Sequence, residues 1–174
     1  MSEAGIAHET VEDGSTFVEN AVKKAREFAD LSSCCTLADD SGICVGALDG
    51  CTGVYSVRFC GIHGGDKANN DLMLRKLENV IDRCAYYVCA IALACPDGKT
   101  ITAEGYLHGE IGFEEKGENG FGYDPLFILP EYGLTVAQLR LEEKNRISHR
   151  AKALDTHCEK LRRNDSSDER VKLR

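Results

Sequence analysis

No apolar run in these 174 residues approaches the roughly 20 consecutive apolar positions that a bilayer-spanning helix needs. The opening residues carry no signal-peptide pattern either. Cationic excess is absent: 21 Lys and Arg stand against 29 Asp and Glu, for a formal net charge of −8. That balance argues against non-specific nucleic-acid binding, so phosphate would have to be met by a few focused cations or a metal. The nine cysteines, at 34, 35, 44, 51, 60, 84, 89, 95 and 158, form no CxxC pair and no Cys/His zinc spacing. Several lie in apolar runs, where cysteine acts as a small hydrophobe. The expectation is a reduced cytoplasmic protein with mostly buried thiols and no structural zinc. There is also no P-loop, no GxSxG and no HExxH, which excludes a Walker-type nucleotide site.

What is there reads as one domain, large enough to bury roughly 70% of the surface its unfolded chain exposes. Hydrophobic content of 43% and charged content of 29% are ordinary for a globular chain. Thr16 followed by Glu19 is a capping box, and Phe17, Ala21, Val22, Ala25, Phe28 and Ala29 recur at helical spacing, predicting a helix over 17–30. Asn20 and Lys24 fall at one edge of its apolar stripe, where a lysine either snorkels or reaches into a neighbouring site. A second helix is predicted over 66–81. The run 84–95 (CAYYVCAIALAC) is apolar on both faces, so it reads as an interior strand, and Pro96-Asp97-Gly98 turns it into an alternating strand over 100–111. A short strand at 126–129, a helical turn at 135–139 and a last helix capped by Ser148 follow. Residues 162–174 read as a charged, disordered tail. Strands and helices interleave without repeats or a linker. The class is therefore α/β, with a mixed twisted sheet flanked by helices and a single domain over 1–161.

Three polar groupings carry chemistry. In Leu37-Ala38-Asp39-Asp40-Ser41-Gly42, strand alternation sends the two carboxylates to opposite faces, so only one can enter a given site. A carboxylate at a strand end with a turn behind it can hold Mg²⁺ or orient water; on these six residues alone, an acidic turn is the plainer reading. Glu12, Asn20 and Lys24 form the second grouping. The third pairs Lys116–Pro125 (KGENGFGYDP), where three glycines frame an aromatic suited to stacking on a planar base, with Glu142–Arg150 (EEKNRISHR). That second segment places Lys, His and Arg around a helix start, a receiver for phosphate or for a carbonyl-bearing base. In isolation the glycine-rich loop reads more plainly as a surface turn with a buried Phe, and a charged helix start explains the second segment equally well.

Taken together and in this order, ENAVKKA, LADDSGI, GVYSVRF, KGENGFGYDP and EEKNRISHRAKAL resemble the Ham1/ITPase-like family of non-canonical purine triphosphate pyrophosphatases, over roughly residues 9–160. The resemblance implies an ITPase-like fold with a cleft between two lobes. It also implies Mg²⁺-dependent hydrolysis of ITP, dITP or XTP to the monophosphate and pyrophosphate, in a homodimer that engages neither nucleic acid nor membrane. Carried over by position, Asp40 matches the general base and metal-site carboxylate, Glu12 a metal-site glutamate, and Lys24 the lysine facing the phosphates. Ser41 matches a substrate contact. Phe121, Gly122, Tyr123, Asp124, Lys144, His149 and Arg150 match the nucleobase pocket. Two departures stand out. The family's opening strand and its Gly-Asn…Lys phosphate loop have no counterpart upstream of the acidic segment, and Thr52 replaces a proline. An N-terminally shortened chain is expected to be less stable and less active than one extended upstream. The alternative from another class is a nucleotide-binding or dimer-partner form with impaired catalysis.

Overall fold

Thr16 opens the first helix as its sequence predicts. The Thr16 hydroxyl accepts from the Glu19 amide at 3.1 Å, and the Glu19 carboxylate accepts from the Thr16 amide at 3.2 Å. Helix α1 (Phe17–Ser32) buries Phe17, Asn20, Ala21, Ala25 and Ala29 along one stripe, and ends at Ser33 in the left-handed conformation. The computed structural model describes residues 8–48, 52–61 and 65–171, with side chains to 163. Residues 1–7 and 49–51 lie outside the described residues.

The remaining elements are β1 (Thr36–Val45), α2 (Asp66–Lys76), β2 (Cys84–Ala94), β3 (Thr100–Ile111), β4 (Phe127–Leu129), β5 (Leu134–Thr135), α3 (Leu141–Ile147) and α4 (His149–Val171). Strands β1 to β5 lie in sheet order β1-β2-β3-β4-β5, giving an α/β fold with one sheet and flanking helices. The sheet is antiparallel where the sequence suggested a mixed one. Gly98 N–H donates to Cys95 C=O at 2.9 Å in the tight β2–β3 turn, and a connection that short can join only antiparallel neighbours. Register is fixed by Glu110 opposite Ile128 and by Leu129 opposite Leu134. Strand β2, flanked by β1 and β3, is buried on both faces over Val88–Ala92, as its unbroken apolar run requires.

Local expectations shift in several places. Ser41-Gly42 does not break the strand: β1 runs through it to Val45, because pairing with β2 supplies the ladder that this dipeptide lacks by propensity. Gly53–Arg58 forms a 3₁₀ helix. Helix α2 stops at Lys76, short of the predicted 81, and Ile81 is 99% exposed. Arg83, itself buried, donates to Leu77 C=O at 2.5 Å, Ile111 C=O at 2.7 Å and Gly112 C=O at 2.6 Å. Its guanidinium thus collects the carbonyl just past the helix end and ties it to the end of β3. Helix α4 runs on to Val171, well into the stretch read as a disordered tail. No proline or glycine interrupts 162–171, and Glu159 pairs with Arg163 one turn on at 3.7 Å.

The cysteine reading is overturned. Cys35, just before β1, and Cys95, just after β2, form a disulfide across neighbouring strands. Closing a loop of 60 residues contributes on the order of 4 kcal/mol in the chain-entropy account. Among the described free cysteines only Cys89 is buried, while Cys34 and Cys84 are exposed. Strand pairing alone brings 35 and 95 together, so no local spacing could announce the bond.

The chain divides into two compact units: Met1–Asp40, Cys89–Gly105 and Arg150–Arg174 in the first, Ser41–Val88 and Tyr106–His149 in the second. Each has its own buried apolar cluster. Ile91 and Ala153 belong to the first; Ile43, Met73, Leu77, Tyr87 and Phe127 belong to the second. The division passes through β1, β2 and β3, so a sequence reading that looks for linkers sees one domain. No helix among the described residues is long and apolar enough to cross a membrane.

His157 on α4 is 1% exposed, and neither ring nitrogen has a hydrogen-bond partner. Burial, with Lys160 adding to it, holds its pKa below the ordinary imidazole value. A depressed folded-state pKa means this group's stability is complete above about pH 6.5 and is lost as the pH falls through the folded value. His157→Leu is therefore expected to flatten the decline in thermal midpoint between neutral and mildly acidic buffer. Parallel melts of parent and variant across pH 5–8 check it, and identical slopes refute it.

Candidate functional site

Strand alternation separates the paired carboxylates. Asp40 turns toward α1, where Asn20 and Lys24 stand four residues apart on one helix face. Asn20 Nδ2 donates to Asp40 Oδ2 at 3.0 Å, and Lys24 Nζ donates to Asp40 Oδ1 at 3.3 Å. The Asn20 amide is oriented from behind, since its Oδ1 accepts from the Gly14 N–H at 2.8 Å. Glu12 Oε1 accepts from the same Lys24 ammonium at 2.8 Å. The three residues assigned from the sequence to one end of the chemistry, Glu12, Lys24 and Asp40, therefore meet in the first unit. Ser41 follows Asp40 in β1 and is half-buried.

Charge and burial oppose each other here. Burial raises the Asp40 carboxyl pKa; Asn20 and Lys24 pull it back, Glu12 pushes it further up, and the net shift is upward. For Lys24, burial pulls the ammonium down, but Glu12 and Asp40 together outweigh it and the net shift is again upward. The result is a firmly charged lysine beside a carboxylate more basic than usual. A carboxylate of that kind is equipped to take a proton from water.

Asp39 faces the other way. Its Oδ2 lies 3.3 Å from Arg150 Nε and 3.8 Å from Cys89 Sγ. Leu37, Asp39, Cys89, Ile91, Arg150 and Leu154 line an open pocket of about 240 Å³. Burial first, then the Asp39 charge, pushes the Cys89 thiol up to about 12, so it stays a thiol. Arg150, assigned from the sequence to the nucleobase pocket, is thus an ion-pair partner of Asp39 within the first unit.

In the second unit the glycine-rich loop is built around Asp124, which is 4% exposed. Asp124 Oδ2 accepts from the Phe121 N–H at 2.9 Å and pairs with the Lys144 ammonium; its Oδ1 accepts from the Tyr87 hydroxyl at 3.3 Å. Gly120 has φ +84°, and a Cβ there would lie 2.2 Å from Asp124 Oδ2, so only glycine lets the loop close over the carboxylate. Phe121 projects from it, 64% exposed, with Lys144 Nζ 4.6 Å from its ring centroid. Tyr123 points inward. Its buried hydroxyl donates to Ser56 C=O at 2.7 Å, and burial raises its pKa, so it anchors the loop and offers no hydroxyl to a ligand. His149 is buried and stacks on Tyr87 with centroids 4.9 Å apart. Tyr87, Asp124, Lys144 and His149 help line a cavity of about 10 Å³, room for about one water and no base.

Phe121, Gly122, Asp124 and Lys144 therefore share one loop system, with His149 joined to it through Tyr87. Sequence reasoning missed Tyr87, Asp66 and Asn70, all of which contact this loop or its carboxylate. A signal existed for Asn70: with Met73 in α2 and Leu77 just past its end it falls at i, i+3 and i+7, a polar residue on an apolar stripe.

A half-buried carboxylate–lysine–amide cluster and an aromatic held out on an anchored glycine loop mark a protein equipped for polar-ligand chemistry. Comparison narrows the class. Residues 1–160 match the Ham1 family, and the chain belongs to that family. It is 53% identical over 148 residues to the dITP/XTP pyrophosphatase of an Exiguobacterium species, covering 85% of this chain and 76% of that protein. It is 51% identical to the dITP/XTP pyrophosphatase of Geobacter sulfurreducens over 84% of this chain and 74% of that one. Among solved structures, the Ham1 protein of Staphylococcus aureus superposes with a TM-score of 0.83 at 44% identity, covering 86% of this chain and 78% of that one.

Gly120→Ala tests the loop geometry. Left-handed strain together with displacement of the Asp124 carboxylate is expected to cost about 1–3 kcal/mol. Urea unfolding measures it, and an unchanged midpoint refutes the close approach.

Proposed function

We propose that this chain hydrolyses non-canonical purine nucleoside triphosphates (ITP, dITP and XTP) to the monophosphate and pyrophosphate. The observation that carries the reading is Asp40, half-buried, raised in basicity and held by Asn20 and Lys24, in a chain of the Ham1 family. The relatives named as dITP/XTP pyrophosphatases support the substrate class. Asp40 takes a proton from water as the water oxygen bonds to the α-phosphorus and the α–β bridging bond breaks, with the electron pair leaving on pyrophosphate. The Lys24 ammonium offsets phosphate charge.

Mg²⁺ fits the residues present. Asp40 and Glu12 already converge on one cation, the Lys24 ammonium, and Mg²⁺ is commonly bound by one or two carboxylates plus substrate phosphates and water. Bound there, it would neutralise phosphate oxygens. Asp40 and Glu12 are the residues to hold it.

Base recognition falls to the Phe121 loop. The exposed ring offers a stacking face, and the Lys144 ammonium beside it supplies donors. A 6-keto oxygen accepts from such donors, whereas the 6-amino group of adenine presents a donor to a donor and leaves both unpaired. The working form is a homodimer, engaging neither nucleic acid nor membrane. The net charge of −8 supports the exclusion of nucleic acid.

Asp40→Asn is expected to lower kcat for ITP with Mg²⁺ by about 10²–10⁴-fold with the fold intact, while Asp39→Asn, facing Arg150, stays within about tenfold. Pyrophosphate release measured for parent and both variants, with ATP as the comparison substrate, decides it. Near-normal turnover in Asp40→Asn, or equal kcat/KM for ATP and ITP in the parent, sinks the reading.

A further inference from the structure

Phe121 is a large apolar ring left 64% exposed between two glycines that both have positive φ, Gly120 at 84° and Gly122 at 61°. A chain that flexible would let such a ring fold back onto apolar surface unless its backbone were held. Gly122 is held at both of its polar atoms, and by one helix. Its N–H donates to Asp66 Oδ2 at 2.8 Å, and its C=O accepts from Asn70 Nδ2 at 3.2 Å. Asp66 and Asn70 are i and i+4 at the start of α2, so their side chains leave the helix on one face. Asn70 also donates to Glu115 Oε1 at 2.8 Å, and Lys67 Nζ stands 3.4 Å from Glu115 Oε2. Two acceptors therefore fix which way the Asn70 amide points.

That orientation carries a cost. Asn70 is 3% exposed, and its Oδ1 is buried with no hydrogen-bond partner. An asparagine selected for stability alone would not leave a buried carbonyl unsatisfied on the apolar stripe of a helix. The amide serves its donor side, which faces the loop.

We propose that Asp66 and Asn70 are positioning residues for substrate recognition: they clamp Gly122 from α2 and so hold the Phe121 ring out as a ready-made stacking platform. The inference rests on the base-recognition reading of the Phe121 loop. Neither residue touches the base; both act through the backbone of Gly122. Preorganisation of this kind lowers the ordering cost of binding and belongs in KM rather than kcat.

The test uses Asp66→Ala, Asp66→Asn and Asn70→Leu in the full chain, with and without Phe121→Ala. Asp66 is exposed, so its variants fold as the parent does. Asp66→Ala and Asn70→Leu are each expected to raise KM for ITP about three- to tenfold, with kcat within about twofold. Asp66→Asn, which keeps an acceptor for the Gly122 amide, restores the parent KM. In the Phe121→Ala background the same changes add nothing further, because the platform they position is gone. Independently of turnover, hydrogen exchange at the Gly122 amide speeds up in Asp66→Ala and not in Asp66→Asn. An unchanged KM in Asp66→Ala, an equal rise with Phe121 absent, or unaltered Gly122 exchange overturns the clamp. A parent chain that hydrolyses no purine triphosphate overturns the functional reading instead, and Gly122 exchange then decides the clamp alone.

Discussion

The two-residue period of strand β1 is the constraint from which the chemistry of this protein follows. Because successive side chains leave a strand on opposite faces, Asp39 and Asp40 enter different surroundings although they are adjacent in sequence. Asp40 meets Asn20, Lys24 and, through the lysine, Glu12; Asp39 meets Arg150 and Cys89. A register slip of one residue would exchange the two carboxylates and leave Lys24 facing the wrong one. Strand β1 runs unbroken through the Ser41-Gly42 stretch, where propensity is weakest, alongside β2.

Around Asp40 the electrostatics are set by partial burial. A fully exposed carboxylate beside a lysine would be ordinary in basicity, and a fully buried pair would be costly to assemble. Here the Asp40 side chain is 12% exposed and that of Lys24 20%. Burial therefore raises the carboxyl pKa while two carboxylates keep the ammonium charged. The Asn20 amide, steadied by the Gly14 N–H, directs one Asp40 oxygen without adding charge.

The second unit solves a different problem, which is keeping an aromatic ring in water. Asp124 lies at the centre, receiving the Phe121 amide, the Tyr87 hydroxyl and the Lys144 ammonium. Tyr123 is pinned to Ser56, and Gly122 is held from α2. The backbone on either side of Phe121 is tied down, and the ring is left exposed.

Much of this was legible in the sequence, and the legible part was local. Thr16 and Glu19 announce a helix start because a capping box needs only three residues of separation. The apolar run at 84–95 announces an interior strand because burial on both faces demands it, and Pro96-Asp97-Gly98 announces the turn that follows. Lys24 at the edge of the α1 stripe and the glycines around Phe121 were visible for the same reason. Tertiary structure decided what depends on distant residues meeting. It joined Cys35 to Cys95, set Arg150 against Asp39, drew α2 over Gly122, and divided the buried residues into two clusters along strands that show no break. Period and capping are properties of a few consecutive residues; which strand or helix lies alongside is fixed only when the whole chain has closed on itself.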